Sequence, residues 1–330
     1  MNVAIYSTHK FEKEYLEKAN NDQYNFKYIT SALSSETANL SDGCEAVSIF
    51  VSDDASAPVL QLLSKAGVKF LVLRSAGFNH VDIAEAKKLN IKVARVAEYS
   101  PYSVAEHSVA LVLALNRKLI RAHNRVIEQN FSLDGLVGFD MNGKTVGIIG
   151  IGKIGGVSAK ILHGFGCKIL AYDKLESEEL KQKYNVTYTD FETLCKQSDI
   201  ITLHVPLTEK TKYIINKESI KMMKTGVMLI NTSRGKLVNT KDVINALKTE
   251  HIGSFGIDVY EEEEGLFFED HSEDILQDDT IARLMSFRNV LITSHQAFLT
   301  DTALKNIAET TVNNLECFEK SGDNKNEIKF

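Results

Sequence analysis

The stretch Val146-Gly147-Ile148-Ile149-Gly150-Ile151-Gly152-Lys153-Ile154-Gly155 sets a GxGxxG pattern directly behind an apolar run and at the head of a helical one. Position decides its meaning. In a strand–turn–helix, Gly150 permits the tight turn, Gly152 lets the backbone approach a pyrophosphate, and Gly155 lets helix and strand pack closely. The helix N-terminus turns unpaired N–H groups and a positive dipole end toward the phosphates. The next apolar run ends in Asp173, eighteen residues beyond Gly155, near the roughly 20 expected of an acid that accepts hydrogen bonds from ribose hydroxyls. A carboxylate there repels a 2′-phosphate, so the two features together select NAD over NADP; Lys174 beside it softens the exclusion.

Outward from this turn, short β-rich runs alternate with helical patterns almost from end to end, which predicts an α/β fold of parallel sheets covered by helices. Besides the strand at 145–150, strands are expected at 168–173, 199–205, 227–232, 254–258 and 290–293, six in all, the number a dinucleotide-binding sheet uses. Ahead of them, runs at 3–8, 46–51, 70–75 and 91–96 predict a separate sheet. Between the series lies Ser100-Pro101, followed by a helical stretch from about 103 to 129, and the chain is expected to cross between domains here. From about residue 300 the chain reads as a helix plus a polar tail, free to return to the first domain, with 321–327 as a solvated end. The expected architecture is therefore two doubly wound parallel-sheet domains. Residues 101–298 form a Rossmann NAD-binding domain, inserted in a flavodoxin-like substrate domain of residues 1–100 and 299–330.

Length and composition agree: 330 residues with 44% hydrophobic and 25% charged content suit two globular domains and exclude disordered or collagen-like architectures. The net charge of −6 supplies no field for nucleic acid or an anionic membrane, so any bound anion must be held locally. The longest apolar stretch, near 108–115, is too short to span a bilayer, and the N-terminus lacks the basic-then-apolar pattern of an export signal. Cys44, Cys167, Cys195 and Cys317 show no CxxC spacing and read as free thiols of a reducing cytoplasm.

Ligands of open α/β sheets bind outside the carboxyl ends of strands, and three reactive side chains occur there in succession. Arg234, in Asn231-Thr232-Ser233-Arg234-Gly235, follows the run 227–232; its planar fork suits a bidentate grip on a carboxylate. Asp258 ends the run 254–258 and precedes Glu261-Glu262-Glu263-Glu264, among which sequence selects none. His295 follows the run 290–293, and imidazole suits proton transfer near neutral pH. A carboxylate anchor, a proton donor and an acid to orient the donor are what carbonyl reduction requires. There is no HExxH, GxSxG or Walker pattern and no Cys/His pair at zinc spacing, so no metal is expected. His107 and His204 are taken as structural or surface groups.

With these residues in view, the chain resembles the D-2-hydroxyacid dehydrogenases over essentially its whole length. The segments that carry the likeness are Leu73-Arg74-Ser75-Ala76-Gly77-Phe78-Asn79, Tyr99-Ser100-Pro101, Val104-Ala105-Glu106-His107, the glycine turn, His204-Val205-Pro206-Leu207-Thr208, residues 231–235, Gly256-Ile257-Asp258-Val259-Tyr260 and residues 294–300. Gly265-Leu266-Phe267-Phe268-Glu269-Asp270 and His295-Gln296-Ala297-Phe298-Leu299-Thr300 resemble the lactate branch rather than the phosphoglycerate branch. That implies reversible hydride transfer from NADH to pyruvate, giving D-lactate.

The resemblance also implies roles. The family's acid lies five positions beyond the strand-ending aspartate, which points to Glu263 and leaves Glu261, Glu262 and Glu264 as a solvated face. Arg234, Glu263 and His295 are then the catalytic residues. Main-chain N–H groups around Ala76 and Gly77 bind the substrate carboxylate, Tyr99 lies nearby at the hinge, and Tyr99 and Phe298 are candidate pocket walls. Because Phe78-Asn79-His80 departs from the family's usual residues there, only the backbone role of Ala76 and Gly77 is carried over. Coenzyme contacts are implied at Gly150, Gly152, Lys153, Ile154, Gly155 and Asp173, and at Val205 and Pro206 in the adenine pocket. Others are implied at Thr232, Ser233, Arg234, Asp258 and His295, with Asp258 on the nicotinamide side. The long helix after Pro101, with Val109, Val112 and Leu115, belongs to a region that supports a symmetric dimer in the family, so a homodimer or homotetramer is expected. Competing readings are the same chemistry on a larger 2-keto acid, or a non-enzymatic NAD sensor.

Overall fold

The computed structural model describes residues 1–320 and 324–329. The chain divides into two compact units, Met1–Ser100 with Leu299–Phe330, and Pro101–Phe298. In the first unit, β1 (Asn2–Ile5), β2 (Asn25–Tyr28), β3 (Ala46–Ile49), β4 (Phe70–Leu73) and β5 (Lys92–Arg95) form an all-parallel sheet in the order β2-β1-β3-β4-β5, the flavodoxin-like order. Helices α1 (Lys10–Asn20), α2 (Ala57–Lys65) and α3 (Ile83–Lys88) connect the strands. Four strands were expected and five are present among the described residues. The unforeseen one, β2, is a four-residue edge strand, Asn25-Phe26-Lys27-Tyr28, whose alternating exposure lacks the continuous apolar run that marks the others.

The second unit carries α4 (Pro101–Arg117), α5 (Leu119–Ile127), β6 (Thr145–Ile149), α6 (Lys153–Gly164), β7 (Lys168–Tyr172), α7 (Glu178–Tyr184), β8 (Thr187–Tyr188) and α8 (Phe191–Gln197). It continues through β9 (Ile200–Leu203), α9 (Lys217–Met222), β10 (Val227–Asn231), α10 (Thr240–Lys248), β11 (Ile252–Ile257), α11 (Asp279–Met285) and β12 (Val290–Ile292). Its seven strands are all parallel, in the order β12-β11-β10-β9-β6-β7-β8. The strand order reverses between β6 and β9, which puts the glycine turn at the switch point where a Rossmann sheet binds its ligand. Six strands were expected; the seventh, β8, has two residues, too few to register as a period.

The expected single helix from 103 to 129 is two. Lys118 takes φ 52° between α4 and α5. The side chain of Asn116 donates to the Phe139 carbonyl and accepts from the Phe139 N–H, both at 2.8 Å. That two-way clamp fastens the end of α4 to a segment twenty-three residues later. Val109, Val112 and Leu115 are buried in the unit's own core.

The last helix, α12 (Asp301–Lys320), belongs to the first unit. Its Ala308, Val312, Leu315 and Phe318 pack with Leu16 of α1 against Val3, Ile5, Ala46, Val72 and Ala94 on one sheet face. The alternate strand residues Ala4, Val47, Leu71, Leu73 and Val93 face α2 residues on the other, as strands buried on both faces require. The polar tail is not the solvated end expected of it. Residues 321–323 lie outside the described residues, but Asn324 is buried, Glu327 bridges Ala94, and the Ile328 N–H donates to the Val93 carbonyl at 2.9 Å. The tail thereby covers the free edge of β5. No helix among the described residues is long and apolar enough to cross a membrane.

Candidate active site

The glycine turn leaves β6 through Gly150 at φ +88°, a conformation a side chain would strain. A Cβ on Gly155 would lie 2.1 Å from the Gly150 carbonyl oxygen, so only glycine lets α6 start this close to its strand. Gly152 is the N-cap of α6 and offers no capping side chain, and open space lies where its Cβ would be. Asp173 stands beside the turn: one oxygen accepts from the Ile151 N–H at 2.7 Å, the other from the Lys174 N–H at 2.6 Å. From β9, Val205 and the His204 carbonyl close on Gly150. Pro206, next along, is exposed.

Three neighbouring strands, β10, β11 and β12, deliver Arg234, Glu263 and His295 from their carboxyl ends. The strand ends are laced together: the Asp258 N–H donates to the Asn231 carbonyl at 3.0 Å, and the His295 N–H to the Asp258 carbonyl at 2.7 Å. His295 takes φ 53°, and its Nδ1 lies 2.9 Å from Glu263 Oε1. A carboxylate only accepts, so Nδ1 carries the proton and Nε2 is left to face a ligand. The second Glu263 oxygen accepts from the Tyr260 N–H at 3.0 Å, which fixes the carboxylate as well as the ring.

Arg234 is half-buried, and its guanidinium donates to the Ser233 carbonyl at 2.7 Å. Among the described residues no carboxylate pairs with it. A partly desolvated guanidinium without a counter-ion is a place for an anion to bind. Its loop is held by Asn231, which accepts from the Ser233 N–H and donates to the Arg234 carbonyl, and by Ser233 Oγ, which donates to the Val205 carbonyl. Thr232 Oγ1 is buried with no hydrogen-bond partner among the described residues, an unmet need that a bound polar group would satisfy.

The glutamate run separates cleanly. Glu262 and Glu264 are exposed as expected. Glu261 departs from the solvated-face reading: its two oxygens accept from Tyr213 Oη at 2.9 Å and the Thr240 N–H at 3.1 Å, tying the run to the start of α10. Asp258 is fully buried, and its carboxylate accepts from Thr293 Oγ1 (2.6 Å), the Gln296 N–H (2.9 Å) and the Ala297 N–H (2.8 Å). Those bonds hold the turn that carries His295.

The sequence did not disclose one link to the site. His107 of α4, taken as structural or surface, has Nε2 2.9 Å from Thr293 Oγ1 and 3.4 Å from Asp258 Oδ1. The hydroxyl proton goes to Asp258, so Nε2 donates to the threonine. Its neighbours in the chain give no sign of this, because α4 meets the β12 loop only through tertiary packing. Phe268 was also missed as a neighbour of the site; its ring lies 5.7 Å from that of His295. His204 is structural, as expected: burial lowers its pKa to about 4, and Nε2 meets Ser158 and Thr202 hydroxyls.

Ala76, Gly77 and Tyr99 belong to the first unit, following β4 and β5. Arg95 donates to the Ala76 carbonyl and Ser75 Oγ to the Gly77 carbonyl, each at 2.8 Å. Among the described residues no acceptor takes the N–H groups of Ala76 and Gly77, an arrangement suited to an anion. Beneath this loop the buried Arg74 makes a two-pronged ion pair with Glu12, at 2.9 and 3.1 Å. Phe298 is the last residue of the second unit.

Residues 109–297 match the family model described as D-isomer specific 2-hydroxyacid dehydrogenase, NAD binding domain. The D-lactate dehydrogenase of Escherichia coli (strain K12) is 48% identical over 329 residues, 99% of this chain and 100% of the relative. The apo structure of D-lactate dehydrogenase from Escherichia coli superposes with a TM-score of 0.91 at 45% identity, covering 100% of both chains. D-Lactate dehydrogenase from Aquifex aeolicus, solved in complex with NAD and lactic acid, gives 0.85 at 38% identity over 97% of this chain and 96% of that one. On the glycine turn, the three strand-end residues and these likenesses, the chain belongs to the D-isomer specific 2-hydroxyacid dehydrogenase family.

Proposed function

We propose that this chain is an NAD-dependent D-lactate dehydrogenase that reduces pyruvate reversibly to D-lactate. The observation that carries the reading is the Glu263–His295 pair, built on β11 and β12 with Nε2 open, next to the β10 strand end whose guanidinium has no counter-ion among the described residues. The coenzyme fits the residues present. Gly150, Gly152 and Gly155 leave the turn without side-chain bulk, Lys153 and Ile154 offer backbone N–H groups at the start of α6, Asp173 stands beside it, and the Thr232 hydroxyl, unpartnered among the described residues, lies with Ser233 on the other side of the switch point. Val205 flanks the turn, and Pro206 follows it in the chain as the second residue of the adenine pocket.

Bound NADH supplies the hydride that the substrate's carbonyl carbon accepts. Arg234 holds the substrate carboxylate and stabilises negative charge growing on the carbonyl oxygen. His295, protonated on both nitrogens, gives the Nε2 proton to that oxygen and regains one from solvent. Glu263 keeps the ring oriented through Nδ1 and balances its positive charge. Asp258, with both oxygens engaged by the chain, sets the His295 turn; we assign it this positioning role beside the expected place on the nicotinamide side. Fixing two reactants and preorganising donors remove on the order of 10 kcal/mol from such a barrier.

The second unit is then the NAD-binding domain and the first the substrate domain, where Ala76 and Gly77 offer N–H groups to the carboxylate. Tyr99 and Phe298 bound the substrate side chain. The protein also self-associates as a homodimer or homotetramer. The core burial of Val109, Val112 and Leu115 removes those residues from the interface, and the exposed apolar side chains lie further on. Leu119, Ile120, Val126, Ile127, Phe131, Leu133 and Val137 are all more than half exposed, and a run of exposed apolar side chains this dense in the chain supports an interface.

A panel of 2-keto acids with NADH, with chiral analysis of the product, tests the reading. Pyruvate is expected to turn over fastest and to yield only D-lactate. Preference for phenylpyruvate or 2-ketoisocaproate would move the assignment to larger substrates, and NADH binding without turnover of any keto acid would make the chain a sensor.

A further inference from the structure

The Asp258 carboxylate that holds the His295 turn is fully buried, and among the described residues no lysine or arginine pairs with it. The one group within ion-pair distance that can carry positive charge is His107, whose Nε2 lies 3.4 Å from Asp258 Oδ1. That placement follows from how α4 meets β11. Gly256 has no side chain, and a Cβ there would lie 3.0 Å from Leu115 Cδ1 and 3.3 Å from Leu111 Cβ, so its absence lets the helix settle against the strand. Two residues along a strand advance the same face by about 6.6 Å, and four residues of helix cover about 6 Å. Going forward from Gly256 to Asp258 and back from Leu111 to His107 therefore keeps strand and helix in step. The imidazole reaches the carboxylate by packing register.

The hydrogen bonds then run in one direction. Thr293 has a single hydroxyl proton, with Asp258 Oδ1 at 2.6 Å and the Ile257 carbonyl at 3.5 Å as acceptors; the shorter, charged one takes it. A lone pair of the threonine oxygen is left for His107 Nε2 at 2.9 Å, which therefore donates. Beyond Asp258 the row continues to the N–H groups of Gln296 and Ala297, the two residues after His295. Hydrogen bonds in such a row strengthen one another. His107 shares its face of α4 with Val104 and Leu111, both buried, and a residue that only filled space there would be apolar like them.

We propose that His107 is a positioning residue for the proton-transfer step: through Thr293 and Asp258, its Nε2–H fixes the left-handed turn that aims the His295 ring. The inference rests on the reading of His295 as proton donor and carries that role back into α4.

The test compares the full-length wild type with His107→Leu, His107→Gln, Thr293→Val and the double variant His107→Leu/Thr293→Val. His107→Leu should lower kcat for pyruvate by about tenfold or more, with NADH affinity, read by fluorescence, changed less than about twofold. His107→Gln keeps an N–H donor at similar reach and should recover most of the loss, a rescue that a space-filling role does not predict. Thr293→Val should cost about as much as His107→Leu, and the double variant little more than either, because both break one row. Hydrogen exchange of the free protein should quicken at the N–H groups of Gln296 and Ala297 in His107→Leu and much less in His107→Gln. An unchanged kcat in His107→Leu, a Gln variant as impaired as the Leu variant, additive losses in the double variant, or unaltered exchange at Gln296 and Ala297 would each overturn the proposal. The exchange measurement needs no turnover, so a wild type that reduced no keto acid would refute the proposed function while this leg still tested the row.

Discussion

His295 adopts a left-handed backbone conformation, φ 53°, which a non-glycine residue enters only when its surroundings impose it. Here they do: its N–H is held by the Asp258 carbonyl and the next two N–H groups by the Asp258 carboxylate. Replacing the carboxylate that orients its ring, Glu263→Gln, should lower kcat by about 10²-fold or more and displace the pH–rate profile, with little effect on NADH affinity. An unchanged profile would remove Glu263 from the mechanism. His204 gives a pH signature of stability. Its pKa is lowered to about 4 by burial from an unfolded value near 6.5, so between these values the unfolded chain binds the extra proton. Stability therefore falls as pH drops from about 6.5 to 4, by up to about 3 kcal/mol from this residue. Urea titrations at pH 7 and 5 should show the loss, and His204→Gln should flatten it. Arg234 and His295 were legible in the sequence because each follows a strand by a few residues. Glu263 was not separable from its three neighbours by residue type, since four identical letters differ only in what lies opposite them. His107 was illegible for a different reason: its partners, Thr293 and Asp258, lie more than 150 positions away.

At the scale of elements, long apolar runs were readable and short polar ones were not. The buried strands of both sheets declare themselves because parallel strands covered on both faces have few polar positions. The edge strands β2 and β8 escaped because an edge needs no such run. The break between α4 and α5 escaped because helical periodicity continues through Lys118, while the cause of the break, Asn116 gripping Phe139, is a long-range contact. Asn116→Ala deletes both halves of that clamp, so unfolding free energy should fall by about 1–3 kcal/mol. Hydrogen exchange should quicken first at Phe139, and unchanged protection there would contradict the account. The tail after α12 was misread because its polar letters, Asn324 and Asn326, are spent on hydrogen bonds to Asn314 rather than on water.

At the scale of the whole molecule, composition alone indicated two globular domains and a chain with no global attraction for polyanions. It could not reveal where apolar residues gather on the surface. The exposed apolar segment between residues 119 and 137 predicts that the protein runs as a dimer or tetramer in light scattering at micromolar concentration, and that Leu133→Asp/Val137→Asp shifts it toward monomer. A wild-type monomer would refute the assigned interface. The central claim, that His295 delivers the proton while the neighbouring groups hold substrate and coenzyme, has a more direct test. The chain contains no tryptophan, so coenzyme binding is read cleanly from NADH fluorescence alongside pyruvate turnover in wild type and His295→Gln. The account predicts near-equal NADH affinity and a loss of turnover of about 10²-fold or more in the variant. Pyruvate reduction persisting at the wild-type rate in His295→Gln would contradict it.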